Sequence, residues 1–119
     1  AMRQRAEEED GDEELGRAKF DPEFVSSLVL GTVQHLPQLD ERIKGYLKPG
    51  WRLERLSTVD LSILRLAAYE IFCLGTPYGA VINEAVELAH TFSTEESVPF
   101  INGLLSAMSK GYLGNEEGS

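Results

Sequence analysis

The chain is predicted to be all-α, a bundle of about five helices, and three observations point there. Apolar residues recur at helical spacing from Val25 to Met108, with no strand-like alternation anywhere. The periodic segments are bounded by caps, prolines and glycines of the kind that open and close helices. The stretch from Ser57 to Leu74, STVDLSILRLAAYEIFCL, is apolar on nearly all sides. Such a helix belongs inside a bundle, and the other segments are its expected cover.

Residues 1–19 show no apolar period, and the run Glu7-Glu8-Glu9-Asp10 repels itself, so this segment is expected to be disordered. Order is expected from Phe20, giving one helical domain over 20–113 and a polar tail over 114–119. Asp21-Pro22-Glu23 opens the first helix as an N-cap, a proline at the first helical position and an acid in the first turn. Val25, Leu28, Val29, Val33 and Leu36 follow at helical spacing. Gly31 in mid-helix costs roughly 1 kcal/mol relative to alanine, so it is read as the mark of a close helix contact. Pro37 cannot continue the ladder and predicts a break. A short helix over 39–47 then carries Leu39, Ile43, Tyr46 and Leu47 on one face and Asp40, Glu41 and Lys44 on the other, and Pro49-Gly50 ends it.

The connector from Trp51 to Leu56 leads into the central helix, whose start is marked by Ser57 with Asp60 three residues on, an acidic capping box. Gly75 and Pro77 mark its end. The fourth helix places Val81, Ile82, Ala85, Val86, Leu88, Ala89 and Phe92 on a broad apolar face, and Ser93-Thr94 closes it. The fifth is capped by Ser97, holds Pro99 in its first turn and buries Phe100, Ile101, Leu104, Leu105 and Met108. Gly111 and Gly114 are expected to stop it.

The formal net charge of −9 argues against a general nucleic-acid binder, because phosphate contacts need Lys and Arg. Much of that charge sits at the two ends of the chain. A single cysteine, Cys73, excludes a disulfide framework and fits a reducing compartment. No apolar run is long enough to span a membrane and no signal-peptide pattern opens the chain, so a cytoplasmic protein is expected. His35 and His90 stand on separate helices without acids or cysteines at ligand spacing, so neither a metal nor a cofactor is expected. Cys73 reads as a small core residue, and the sequence does not fix a second carboxylate or histidine beside Tyr69-Glu70 or Glu84. No enzyme is expected.

Two local features stand out. Five of the eleven basic residues, Arg42, Lys44, Lys48, Arg52 and Arg55, fall in one stretch with Glu54 as its only acid, and Tyr46 and Trp51 are interleaved. Cations among aromatics suit single-stranded RNA, whose phosphates are neutralised and whose bases stack. The plainer alternative, favoured by the residues alone, is a solvated helix end with Trp51 in the core. The second feature is Asn83-Glu84 and Asn102-Gly103 inside apolar helices. A buried asparagine must find partners, so Asn83 and Asn102 are expected to be structural polar residues, with Gly103 admitting a neighbouring helix.

The run WRLERLSTVDLSILRLAAYEI, then Pro77, then AVINEAVELAHTFS, then ESVPFINGLL, resembles the NusB family of transcription antitermination factors in order and spacing, over about Asp21 to Met108. The resemblance implies an all-α, NusB-like bundle without catalysis. It implies pairing with the ribosomal protein NusE, joint binding of a short boxA-like single-stranded RNA, and action within the RNA polymerase complex on ribosomal-RNA genes. By motif, Glu54 and Asp60 fall where family members touch NusE, and Asp60 is expected to matter little to the fold. Glu96 falls at a position linked to the RNA face. RNA contacts are expected from Arg3, Arg5, Arg42, Lys44, Lys48, Arg52 and Arg55. Family members open with an arginine-rich helix, of which only Arg3, Arg5 and Ala6 have counterparts here, so the N-terminal subdomain is expected to be incomplete or the chain a fragment. Val25, Leu28, Val29, Ile43 and Leu47 would then lack cover, and a homodimer is expected to hide them. Two alternatives remain: a helical interaction module without an RNA role, and a detached RNA-binding domain of a ribosomal-RNA cytosine methyltransferase.

Overall fold

The computed structural model describes residues 21–118, with side chains through residue 111. Five α-helices follow one another: α1 (Pro22–Gln34), α2 (Leu36–Lys44), α3 (Thr58–Phe72), α4 (Tyr78–Phe92) and α5 (Ser97–Gly118), with a 3-10 turn at Leu53–Arg55 before α3. The segment 1–19, with Arg3 and Arg5, lies outside the described residues.

Local chemistry sets the helix ends. The Asp21 side chain accepts from the Glu23 backbone N–H at 3.0 Å and Pro22 fills the first helical position. Between α1 and α2 the break falls at His35, just before Pro37. Gly50 adopts φ 91° where the chain turns after α2, a conformation that favours glycine. At α3, Ser57 Oγ accepts from the Asp60 backbone N–H at 3.1 Å, as the capping box requires.

α3 is the hub, and each of the other four helices packs on it. Its Leu64 and Ala68 are fully buried, and Ile63, Ala67 and Ile71 nearly so. α2 contributes Leu39 and Ile43, four residues apart; α4 contributes Val81, Ala85 and Ala89 at the same spacing; α5 contributes Ile101, Leu104, Leu105 and Met108. α2 is clipped to α3 by Arg65, whose Nε and Nη2 donate to the two Asp40 carboxylate oxygens at 2.8 Å each. That hydrogen-bonded carboxylate raises the guanidinium above its ordinary value, against a lowering by burial.

The glycine in mid-α1 behaves as its position suggests. The Tyr69 hydroxyl of α3 lies where a Gly31 side chain would be, and the His35 ring caps the same corner, with Nδ1 donating to the Gly31 carbonyl at 2.8 Å.

Several expectations are corrected. Gly111 does not stop α5. The helix runs to Gly118, and Gly111 instead makes room for the Tyr46 hydroxyl. The polar tail from 114 is therefore largely helical in its backbone. Cys73 is exposed, because it is the C-cap of α3 and has turned out of the core. Val25 and Val29 are exposed as expected, but Ile43 is fully buried and Leu28 and Leu47 are half-buried, so the apolar face left open is only partly the expected one. It is a stripe along α1 made by Val25, Val29, Leu30 and Val33, at 41–61% exposure.

Candidate nucleic-acid and partner interface

The segment from α2 to α3 carries the basic run on the surface. Arg42, Lys44, Lys48, Arg52 and Arg55 are all exposed. Two of them are engaged locally: Arg42 lies over the Phe72 ring, 4.1 Å from its centroid, and Lys44 pairs with Glu41 at 3.5 Å. An exposed pair of that kind contributes little to stability.

Trp51 is not a core residue. It is 53% exposed and stacks on Phe100 of α5, with centroids 5.7 Å apart and planes within 20°. Tyr46, Lys48 and Trp51 face Phe100, Gly103 and Ala107 across a cleft of about 370 Å³. Among the described residues, Lys48 is the one charged residue in the cleft wall. Sequence reasoning placed Lys48, Tyr46 and Trp51 together, but it assigned Phe100 to the core and Gly103 to a helix contact. No local signal pairs Trp51 with a residue so far along the chain.

Asn83 and Asn102 are exposed, so neither is the buried polar anchor expected of it. They sit on the outer faces of α4 and α5, with the apolar stripes of those helices turned away from them. Asn102 Oδ1 accepts only a long bond from Ser106 Oγ, at 3.5 Å. Gly103 meets no neighbouring helix either, since nothing lies within 4 Å of a side chain built there.

Asp60 is a buried polar anchor. It is 8% exposed, and its two carboxylate oxygens accept from Ser93 Oγ at 2.5 Å and Ser97 Oγ at 2.7 Å. Thr94 Oγ1 in turn accepts from the Ser97 backbone N–H at 3.2 Å. One carboxylate thus ties the start of α3 to the end of α4 and the start of α5. The expectation that Asp60 matters little to the fold is corrected, because both of its oxygens are committed within the chain. Glu54 and Glu96 are exposed on either side of this corner in sequence. Next in sequence to Ser93 and Asp60, Phe92 is 67% and Val59 38% exposed, although Phe92 is expected on the apolar face of α4.

Among the described residues no cluster of His, Cys, Asp or Glu could hold a metal, and no helix is long and apolar enough to cross a membrane.

A model of the NusB family matches residues 2–110. The chain belongs to the NusB family. The match is longer than the 21–108 that the motifs alone suggested, and it reaches into the acidic front segment. Among NusB relatives, the transcription antitermination protein NusB of Solibacter usitatus is 53% identical over 85 residues, 71% of this chain and 58% of that protein. The antitermination protein NusB of Elusimicrobium minutum is 49% identical over 104 residues, 86% of this chain and 72% of that protein. The first of these matches therefore spans less than two thirds of its relative. A solved structure of T. maritima NusB superposes with a TM-score of 0.69 at 36% identity, covering 76% of this chain and 66% of that one. These are antitermination proteins by name, a non-enzymatic family, and the all-helical fold is theirs.

Proposed function

We propose that the chain is a transcription antitermination factor that pairs with the ribosomal protein NusE and, with it, binds boxA-like single-stranded RNA. It would reach RNA polymerase through that complex in the cytoplasm. The observation that carries the reading is the exposed run of Lys48, Arg52 and Arg55 around Trp51, which stands out on a chain whose net charge is −9. Cations supply phosphate contacts and an exposed indole supplies a stacking surface, the pairing that single-stranded RNA recognition uses. Arg42 and Lys44 extend the basic edge, and Arg3 and Arg5 would add to it.

The protein partner would take the corner held by Asp60. Phe92 and Val59 offer apolar contact there, with Glu54 and Glu96 as exposed acids for a basic ribosomal protein. Asp60 then acts by holding the corner in shape.

The test is co-purification with the ribosomal partner, followed by RNA titration with and without it at two salt concentrations. RNA affinity should fall as salt rises, with a slope set by the number of phosphates neutralised. Absence of any complex with the partner would remove the central claim. A complex without RNA binding at low salt would favour the second reading, a protein-interaction module, which draws on the net negative charge.

A further inference from the structure

We propose that the cleft between Trp51 and α5 seats one unpaired nucleobase of a single-stranded RNA, with Lys48 at its rim taking an adjoining phosphate. The proposal deepens the RNA reading above and rests on it, by assigning a base to a place and adding α5 residues to the interface.

The first argument comes from glycine. A glycine inside a helix is a poor helix former, and it is expected where something must come close. At Gly31 the reason is Tyr69 and at Gly111 it is Tyr46, each hydroxyl occupying the side-chain position. Gly103 lies in the same helix as Gly111, and no atom of the other described residues lies within 4 Å of its would-be side chain. It opens onto the cleft instead. The described residues leave that space unfilled.

The second argument is the wall. Trp51 and Phe100 are already stacked, so the indole is held in one orientation and a planar group can extend the stack without ordering it first. The wall residues are apolar, aromatic or cationic, with no acid among them. The rim lysine repels a cationic ligand and suits a flat ring joined to an anion. A cleft of about 370 Å³ is at the small end of ligand sites, on the scale of a base with part of its sugar. A partner helix, roughly 10 Å across with its side chains, would not enter it.

The chain has a single tryptophan, so its fluorescence reports on this cleft alone. The probes are a short single-stranded oligoribonucleotide and an abasic ribose-phosphate backbone of equal length, each titrated into the full chain with and without the ribosomal partner. Two substitutions separate the parts. Gly103→Leu fills the cleft from an exposed helix position with open space around it, and an unchanged denaturation midpoint would show that it folds. Lys48→Gln removes the rim charge.

The RNA with bases should quench Trp51 while the abasic backbone does not. Gly103→Leu should abolish the quench and weaken binding about tenfold, as loss of one stacked base does, with the salt slope unchanged. Lys48→Gln should lower the salt slope by about one. RNA that binds Gly103→Leu as it binds the unaltered chain, or an abasic backbone that quenches equally well, would overturn the base seat while leaving RNA binding intact. Loss of partner binding in folded Gly103→Leu would overturn it too, by assigning the cleft to the protein. If no RNA binds at low salt even with the partner present, the broader reading fails and this one with it.

Discussion

Asp60→Ala is the perturbation that most sharply separates an architectural carboxylate from a partner-facing one. Were Asp60 only a first-turn acid, its loss would cost about 0.5–1 kcal/mol through the helix dipole. The structure gives it two further bonds, from Ser93 and Ser97, both to a charged acceptor and largely out of water. Hydrogen bonds to charged groups contribute about 1.5–3 kcal/mol each, and their sum is reduced here because Ser97 keeps Thr94 and half-buried Ser93 can turn to solvent. A net loss of about 2–4 kcal/mol follows. For a domain of this size that moves a urea midpoint by roughly 1–3 M at an unchanged slope. Asp60→Asn, which keeps the shape and can bond both hydroxyls without the charge, should lose about half as much. A double-mutant cycle with Ser97→Ala should show coupling of about 1 kcal/mol or more. A loss below about 1 kcal/mol in Asp60→Ala would refute the reasoning and return the residue to the surface role implied by the family resemblance. Lysine at this position should unfold the corner, so weakened partner binding in that variant would not by itself indicate a contact.

Asn83→Ala and Asn102→Ala should each leave the denaturation midpoint within the equivalent of about 0.5 kcal/mol, since both side chains are exposed; a drop of several times that would show a partner the structure does not contain. Gly31→Ala should destabilise by about 1–3 kcal/mol, because the added methyl meets both the Tyr69 hydroxyl and the ring edge that bears it, and Tyr69→Leu, which removes that ring edge, should recover part of the loss in the same chain. No recovery would mean that the helix shifts as a whole instead. The α1 stripe of Val25, Val29, Leu30 and Val33 should make the chain self-associate weakly at high concentration. Sedimentation over a concentration series should show this association, and Val29→Lys should abolish it. A monomer at all concentrations would show that the stripe does not drive association.

Much of the fold was legible in the residues because helix ends are decided locally. Asp21-Pro22, Pro37, Ser57, Gly75 and Pro77 act on their own or adjacent turns, and each lies close to a helix end, although the second helix falls three residues earlier than expected because Pro37 fits its first turn. The buried stripes at 81, 85, 89 and at 101, 104, 105, 108 are likewise a matter of spacing. The candidate site was legible only as a composition, a basic run with two aromatics in it.

By itself, the sequence determined the fold class, the order of the helices and most of their ends, the helix that lies at the centre, and the family. It could not determine what each polar or small residue faces, because that depends on which elements meet. Asn83 and Asn102 look like buried anchors in an apolar helix, and they are exposed; Asp60 looks like a surface cap, and it is a buried anchor. The glycines at 31, 103 and 111 look alike in the chain. Only the tertiary structure separates the two pressed by tyrosines from the one that opens on a cleft. Trp51 meets Phe100 for the same reason. A cap is a bond within one turn, whereas a clasp, a cleft or a close approach exists only once helices far apart in the chain have packed on α3.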